Sequence, residues 1–206
     1  SLVPADLGRL NKLDKWLPGV EVFGEGIFLV LNEKRLMNWE SESAVQLRVK
    51  ILQDRRNQRA SYLPESIPRL LLLHTLSHML IRELSAECGY SAASIRERIY
   101  SGSTTEDVPM AGILLYTAAG DSEGTLGGLV RQGEPERFIP VLLRAIQAAD
   151  WCSSDPLCRE SSGQGLHALN LAACHACTLL PETSCSLSNR LLDRVLLTGS
   201  TDGSIQ

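Results

Sequence analysis

No run of residues in this chain is apolar for long enough to cross a bilayer. The longest candidate, 70–84, is interrupted by His74, His78, Arg82 and Glu83, and falls short of the ~20 predominantly apolar residues that a spanning helix needs. Positive charge is not in excess either: 20 Lys and Arg against 24 Asp and Glu leave a formal net charge of −4. That balance excludes a whole-surface attraction for nucleic acid and leaves any such contact to a local patch. There is no Walker A sequence, no DEAD/DEAH box and no other nucleotide-binding motif. The chain opens without an initiator methionine or a leader-peptide pattern, so a piece of a longer, cytoplasmic protein without membrane contact is expected. What remains is an ordinary globular composition, 44% hydrophobic and 21% charged, in a chain long enough to bury a sizeable core.

Cysteine is nearly absent from the first 150 residues, where only Cys88 stands. Cys152, Cys158, Cys174, Cys177 and Cys185 then crowd into 152–185. A secreted disulfide scaffold is usually shorter and denser in cysteine, so the cluster points to a metal. Thiolates are soft, charged ligands, and four of them complete a closed tetrahedral shell around zinc. Cys174-His175-Ala176-Cys177 has the two-residue gap that lets two sulfurs reach one ion from a tight turn. Cys185 is close enough to return as a third ligand. The fourth comes from Cys152 or Cys158, which flank an Asp155-Pro156 bend, with Cys158 favoured because it lies nearer. Five candidates thus compete for four places. A shell of four thiolates leaves no open coordination position, so the expected role is structural. His175, between two ligands, is expected to face outward.

Along the chain, 4–16 reads as a short amphipathic turn or helix. The runs 20–23 and 27–31 around Gly24-Glu25-Gly26 suggest a strand pair. Residues 33–59 turn helical and polar. The strongest helix spans 69–88, hydrophobic nearly all round, with Pro68 in its first turn and Gly89 closing it. Ser91 is placed to cap a short helix running to Tyr100. Residues 113–117 form a continuous apolar strand covered on both faces. Helices follow at 135–151 and near 188–197, and the tail 198–206 is polar. These elements predict a helix-rich α+β domain with few strands and a C-terminal cysteine-ligated zinc site. Three regions are expected: 1–62 with a strand pair and a polar helix, 63–198 with the zinc site, and a frayed tail at 199–206.

The C-terminal residues resemble a known family. Ala172-Ala173-Cys174-His175-Ala176-Cys177, Pro181-Glu182-Thr183-Ser184-Cys185 and Asn189-Arg190-Leu191-Leu192-Asp193-Arg194 are similar to the end of the helicase-associated zinc-binding domain of MrfA-type DNA-repair helicases. The upstream stretches 16–29 (WLPGVEVFGEGIFL), 72–84 (LLHTLSHMLIREL), 89–100 (GYSAASIRERIY), 112–130 (GILLYTAAGDSEGTLGGLV) and 152–158 (CSSDPLC) resemble the C-terminal portion of DrmB-like proteins of DISARM anti-phage defence. The resemblance implies zinc as cofactor, a helicase subunit as partner with DNA engaged through it, and a role in phage restriction. Any ATPase of that family would then lie outside this chain.

Three other features carry a functional and a plain reading. His74 and His78, four apart on one helix face, could hold a metal, but Thr75 stands where an HExxH site needs glutamate. Neutral, hydrogen-bonded core histidines are the expectation. The loop Gly120-Asp121-Ser122-Glu123-Gly124 follows a strand as a phosphate cradle would, yet it has no lysine, and its two acids would repel phosphate. A tight turn is expected; a nuclease-like or nucleotide-processing enzyme using that loop is the alternative. Arg48, Lys50, Arg55, Arg56 and Arg59 carry one acid among them, Asp54, and could grip phosphates or an anionic partner. The leading expectation is a non-catalytic zinc-binding subunit that docks on a helicase and helps engage DNA. A purely structural interaction module is the remaining alternative.

Overall fold

A computed structural model describes residues 23–102, 109–117 and 128–199. In chain order it contains β1 (Gly26–Val30), α1 (Glu33–Glu40), α2 (Ser43–Arg59), α3 (Pro68–Cys88), β2 (Ile95–Tyr100), β3 (Gly112–Thr117), α4 (Gly128–Gln132), α5 (Pro135–Ala149) and α6 (Val195–Thr198). This is the helix-rich α+β architecture that the sequence pattern predicts. Among the described residues no helix is long and apolar enough to cross a membrane.

α3 organises the rest. Pro68 starts it, where a missing N–H costs nothing, and Gly89 at φ 72° ends it in the left-handed conformation. Its residues are buried at nearly every position from Arg69 to Ile81, because other elements surround it. Leu73, Leu76, Leu80 and Leu84 meet Ile27, Ile95, Ile113 and Leu115 of the sheet and Val141, Ala145 and Ala149 of α5. Leu70 and Leu71 meet Val45, Val49 and Leu52 of α2, together with Leu169, Leu171, Leu191 and Val195. Each such fully buried leucine or isoleucine contributes about 1.5–3 kcal/mol.

The sheet is antiparallel with order β1-β3-β2. In β2 the period-two alternation sends Ile95 and Glu97 to the buried face and Arg96 and Arg98 outward. Glu97, opposite Leu115 in the register, is thereby driven into the core. That placement matters below.

Several expectations are corrected. The segment 95–100 is a strand, not the end of a helix: Ser91 Oγ accepts from Ala93 N (3.2 Å) but caps a single turn, Ala92–Ser94, before the alternating IRERIY pattern takes over. β1 pairs with β3; of the run 20–23 expected to pair with it, only Phe23, in no strand, is among the described residues. Gly24 approaches β3 so closely that a Cβ there would lie 1.9 Å from Thr117 O. The polar helix of 33–59 is two helices, α1 and α2, the first capped by Asn32 Oδ1 accepting from Arg35 N (3.0 Å). The helix expected near 188–197 is reduced to α6. Ser188, Asn189 and Leu191 have positive φ, and the backbone instead pairs with 169–172 through Leu191 N→Leu169 O (2.8 Å), Leu171 N→Leu192 O (3.0 Å) and Arg194 N→Ala172 O (3.1 Å). The expected turn or helix at 4–16, the Gly120–Gly124 loop and the tail beyond Gly199 lie outside the described residues.

Candidate metal centre

α5 ends at Ala149 and delivers the chain to Cys152. Asp155 then folds the next residues back: its carboxylate accepts from Cys152 N (2.9 Å) and Arg159 N (2.9 Å) and pairs with the Arg194 guanidinium. Backbone bonds Asp155 N→Cys152 O (2.9 Å) and Cys158 N→Ser154 O (3.0 Å) close this loop, so Cys152 and Cys158 both face one point. A second turn, Cys177 N→Cys174 O (3.2 Å) and Thr178 N→Cys174 O (2.9 Å), brings Cys174 and Cys177 to the same place.

The four sulfurs lie within 4.8 Å of one another. Cys152 and Cys174 are 3.5 Å apart, Cys174 and Cys177 3.7 Å, and Cys158 and Cys177 3.8 Å. A disulfide bond is about 2.05 Å long. A tetrahedron with Zn–S bonds of about 2.3 Å has edges of about 3.8 Å. The donor set fits zinc, and the four residues that would hold it are Cys152, Cys158, Cys174 and Cys177. Polar hydrogens already point at the sulfurs: Ser154 N at Cys152 (3.4 Å), Cys174 N at Cys177 (3.3 Å), Thr178 Oγ1 at Cys177 (3.2 Å) and Gln164 Nε2 at Cys158 (3.5 Å). Arg194, fully buried, donates to Ala149 O (2.9 Å) and Asp155. Its charge offsets part of the negative excess that four thiolates carry around a divalent ion. Burial, with the neighbouring Cys177 sulfur adding to it, pushes the Cys158 thiol up to about 12. Burial also opposes ionisation of Cys174, but the Cys177 and Ala176 backbone N–H groups and the Cys152 thiol bring it down to about 7. Four such neighbours cannot all ionise without a cation between them.

Cys152 and Cys158 therefore do not compete for a place, since both converge on Cys174 and Cys177. Cys185, expected as the third ligand, is not in this group. It sits with His74, His78 and Glu97 in a second, buried cluster whose ligand atoms also lie within 4.8 Å of one another. The backbone turns at 186–191 carry it to α3 instead of to the cysteine loop. His175 is exposed, as expected. The plain reading of His74 and His78 as hydrogen-bonded core residues accounts for their Nδ1 atoms, which face Leu191 O (3.3 Å) and Thr178 O (3.0 Å). It leaves out the acid and the thiol that they face on the other side. The i, i+4 histidine spacing was the one visible sign of this cluster; Glu97 gave none, because only the strand register turns it inward. Burial disfavours a charged His74, yet the Glu97 carboxylate and Cys185 sulfur outweigh it and raise its pKa to about 10. Burial likewise opposes the Cys185 thiolate, but the two imidazoles lower its pKa to about 6. The cluster draws positive charge to its centre.

The basic run is largely committed to the fold. Arg48 donates twice to buried Asp193 (2.5 and 2.9 Å). Arg55 donates to Ala168 O (3.0 Å), and Arg56 to Leu63 O (2.9 Å) and Ser61 O (2.9 Å), tying off the C-terminus of α2. Lys50 pairs with Asp54 (2.9 Å) on the exposed face, and Arg59 is exposed.

Residues 76–178 match the MrfA Zn-binding domain family, MZB. The match encloses Cys152, Cys158, Cys174 and Cys177 and ends before Cys185. The chain is also 38% identical over 202 residues to the DISARM protein DrmB of Bacillus paralicheniformis, an alignment that covers 92% of this chain and 34% of that protein. The chain thus spans about a third of the length of this relative.

Proposed function

This chain belongs to the MrfA Zn-binding domain family, and from that premise we propose that it is a non-catalytic, zinc-binding part of a DISARM-type anti-phage defence protein that docks on a helicase subunit and helps it engage DNA. The observation that carries the zinc assignment is the convergence of four cysteine sulfurs from two separate loops, inside the matched region. Four thiolates leave no position open for substrate, so the metal's part is to hold the 152–158 and 174–177 loops together. The defence role rests on the likeness to the DISARM protein DrmB.

The helicase and DNA contacts rest on the family resemblance and on the basic face of α2, where Lys50 and Arg59 are exposed and Arg48, Arg55 and Arg56 half-buried. An interaction module without DNA contact gains from one observation: half-buried Arg48, Arg55 and Arg56 each donate to a group of the protein itself. The two readings separate in one experiment. In the intact defence system, Lys50→Glu with Arg59→Glu should weaken DNA binding by the helicase complex and flatten its salt dependence, since each lost phosphate contact removes about one unit of slope. Unchanged binding at low salt, with the helicase still co-purifying, would replace the DNA reading by the interaction module. Loss of phage protection on Cys177→Ser, with the protein still expressed, is the expected sign that the zinc loops serve the defence.

A further inference from the structure

We propose that His74, His78, Glu97 and Cys185 form a second metal site, separate from the four cysteines, that holds a structural divalent transition ion of the zinc class. The cluster joins three parts of the fold: His74 and His78 come from α3, Glu97 from β2 and Cys185 from the C-terminal segment. All four side chains are buried, and those of both histidines and Glu97 have no exposure at all. His74 Nε2 lies 3.2 Å from Cys185 Sγ and 3.2 Å from Glu97 Oε1, and His78 Nε2 lies 3.8 Å from the same oxygen. Bonds of about 2.0–2.3 Å to nitrogen, oxygen and sulfur give tetrahedral edges of about 3.3–3.8 Å, and the observed separations fall in or next to that range.

The surroundings are those of metal ligands. Each histidine has its Nδ1 against a backbone carbonyl, His74 on Leu191 O (3.3 Å) and His78 on Thr178 O (3.0 Å). An Nδ1–H donated there fixes the tautomer and aims the Nε2 lone pair at the centre, which is how metal-binding imidazoles are oriented. Cys185 Sγ accepts from Leu187 N (3.4 Å) and Asn189 N (3.1 Å), stabilising a thiolate. Glu97 is held by Ser77 Oγ on one oxygen and by Ser186 N (3.1 Å) and Oγ (3.3 Å) on the other. One atom is left over: His78 Nε2 is fully buried and has no hydrogen-bond partner. Buried polar atoms without partners are rare in folded proteins, and a metal bond would complete this one. Charge agrees as well. Two neutral imidazoles, one carboxylate and one thiolate neutralise a divalent ion, so the buried centre carries no net charge. A mixed nitrogen, oxygen and sulfur set in tetrahedral array suits zinc among the common metals. Thr178 ties this site to the cysteines, since its carbonyl faces His78 and its hydroxyl donates to Cys177 Sγ (3.2 Å).

The test is a zinc-edge anomalous difference map of the purified protein, with the metal-to-chain ratio measured by mass spectrometry. The expected result is about two zinc ions per chain, one at each four-ligand group, with one anomalous peak inside the His74, His78, Glu97 and Cys185 cluster. His78→Gln should lower the ratio from about two to about one and erase that peak alone. Should this variant not fold, the wild-type map decides by itself. A peak at the four cysteines only would overturn the second site and leave the proposed function standing. A peak at the histidine cluster only would support the second site and overturn the cysteine one.

Discussion

Replacing Arg48 with alanine should destabilise the protein although the residue belongs to an apparently solvated basic run. Arg48 donates Nε to Asp193 Oδ2 (2.5 Å) and Nη2 to Asp193 Oδ1 (2.9 Å). The Asp193 side chain is wholly buried, and that of Arg48 is only 23% exposed. Removing one partner of a buried ion pair costs about 3–5 kcal/mol, because the other charge is left without compensation. Two features lower the figure here: Asp193 keeps hydrogen bonds from Ala172 N (3.3 Å) and Val195 N (3.2 Å), and part of Arg48 already reaches water. About 2–3 kcal/mol is therefore expected. For a protein of this size each kcal/mol moves the melting temperature by about 2–4 °C, so a fall of about 4–12 °C follows. Lys50→Ala is the control. Its ion pair with Asp54 is exposed at both ends (70% and 53%) and is worth at most about 0.5 kcal/mol. Thermal unfolding followed by circular dichroism, in zinc-saturated buffer, checks both. If Arg48→Ala melts within about 2 °C of Lys50→Ala, a shift smaller than 1 kcal/mol would give, the buried-pair reasoning is wrong and Arg48 returns to the surface patch.

Cys177→Ser should release metal and unfold far more readily than Cys88→Ser, because the first removes a thiolate whose binding energy is coupled to folding, while the half-buried Cys88 only donates weakly to Gly128 O (3.7 Å); equal melting temperatures would contradict this. Arg69→Ala should cost about 3–5 kcal/mol in urea unfolding, since buried Arg69 ties α3 to α1 through Glu33 (2.8 Å) and Glu40 (2.7 Å) and also holds Gly102 O (2.8 Å). Glu97→Gln keeps the size of the buried side chain but removes its charge, and should lower the zinc ratio as His78→Gln does while sparing the zinc held by the four cysteines; retention of both ions would count against Glu97 as a ligand.

The local elements were legible wherever one physical signal acted alone. α3 was marked by Pro68, a long apolar run and Gly89, and β3 by five consecutive strand-forming residues. They were misread where a weak local signal met a stronger tertiary one. Ser91 offers a helix cap, but IRERIY pairs with β3, and Ile95 and Glu97 bury on the α3 side. The segment near 188–197 reads as a helix, yet backbone groups of 191–194 bond to 169–172.

The sequence by itself determined that this is a helix-rich α+β chain built on α3 and that clustered thiols, spaced for zinc, stand near its C-terminus. It also carried the family, through segments spread along most of the chain. Only the tertiary structure decided which cysteines meet. Ligand spacing states what a short loop can reach; it does not state which of several reachable partners the loop is turned toward. The left-handed residues after Cys185 and the burial of α3 around His74 and His78 turn that sulfur to His74, His78 and Glu97 instead of to its neighbours in sequence. For the same reason the basic run could not be divided from composition alone. Whether an arginine faces phosphate or a buried aspartate 145 positions away depends on what the chain brings back to it.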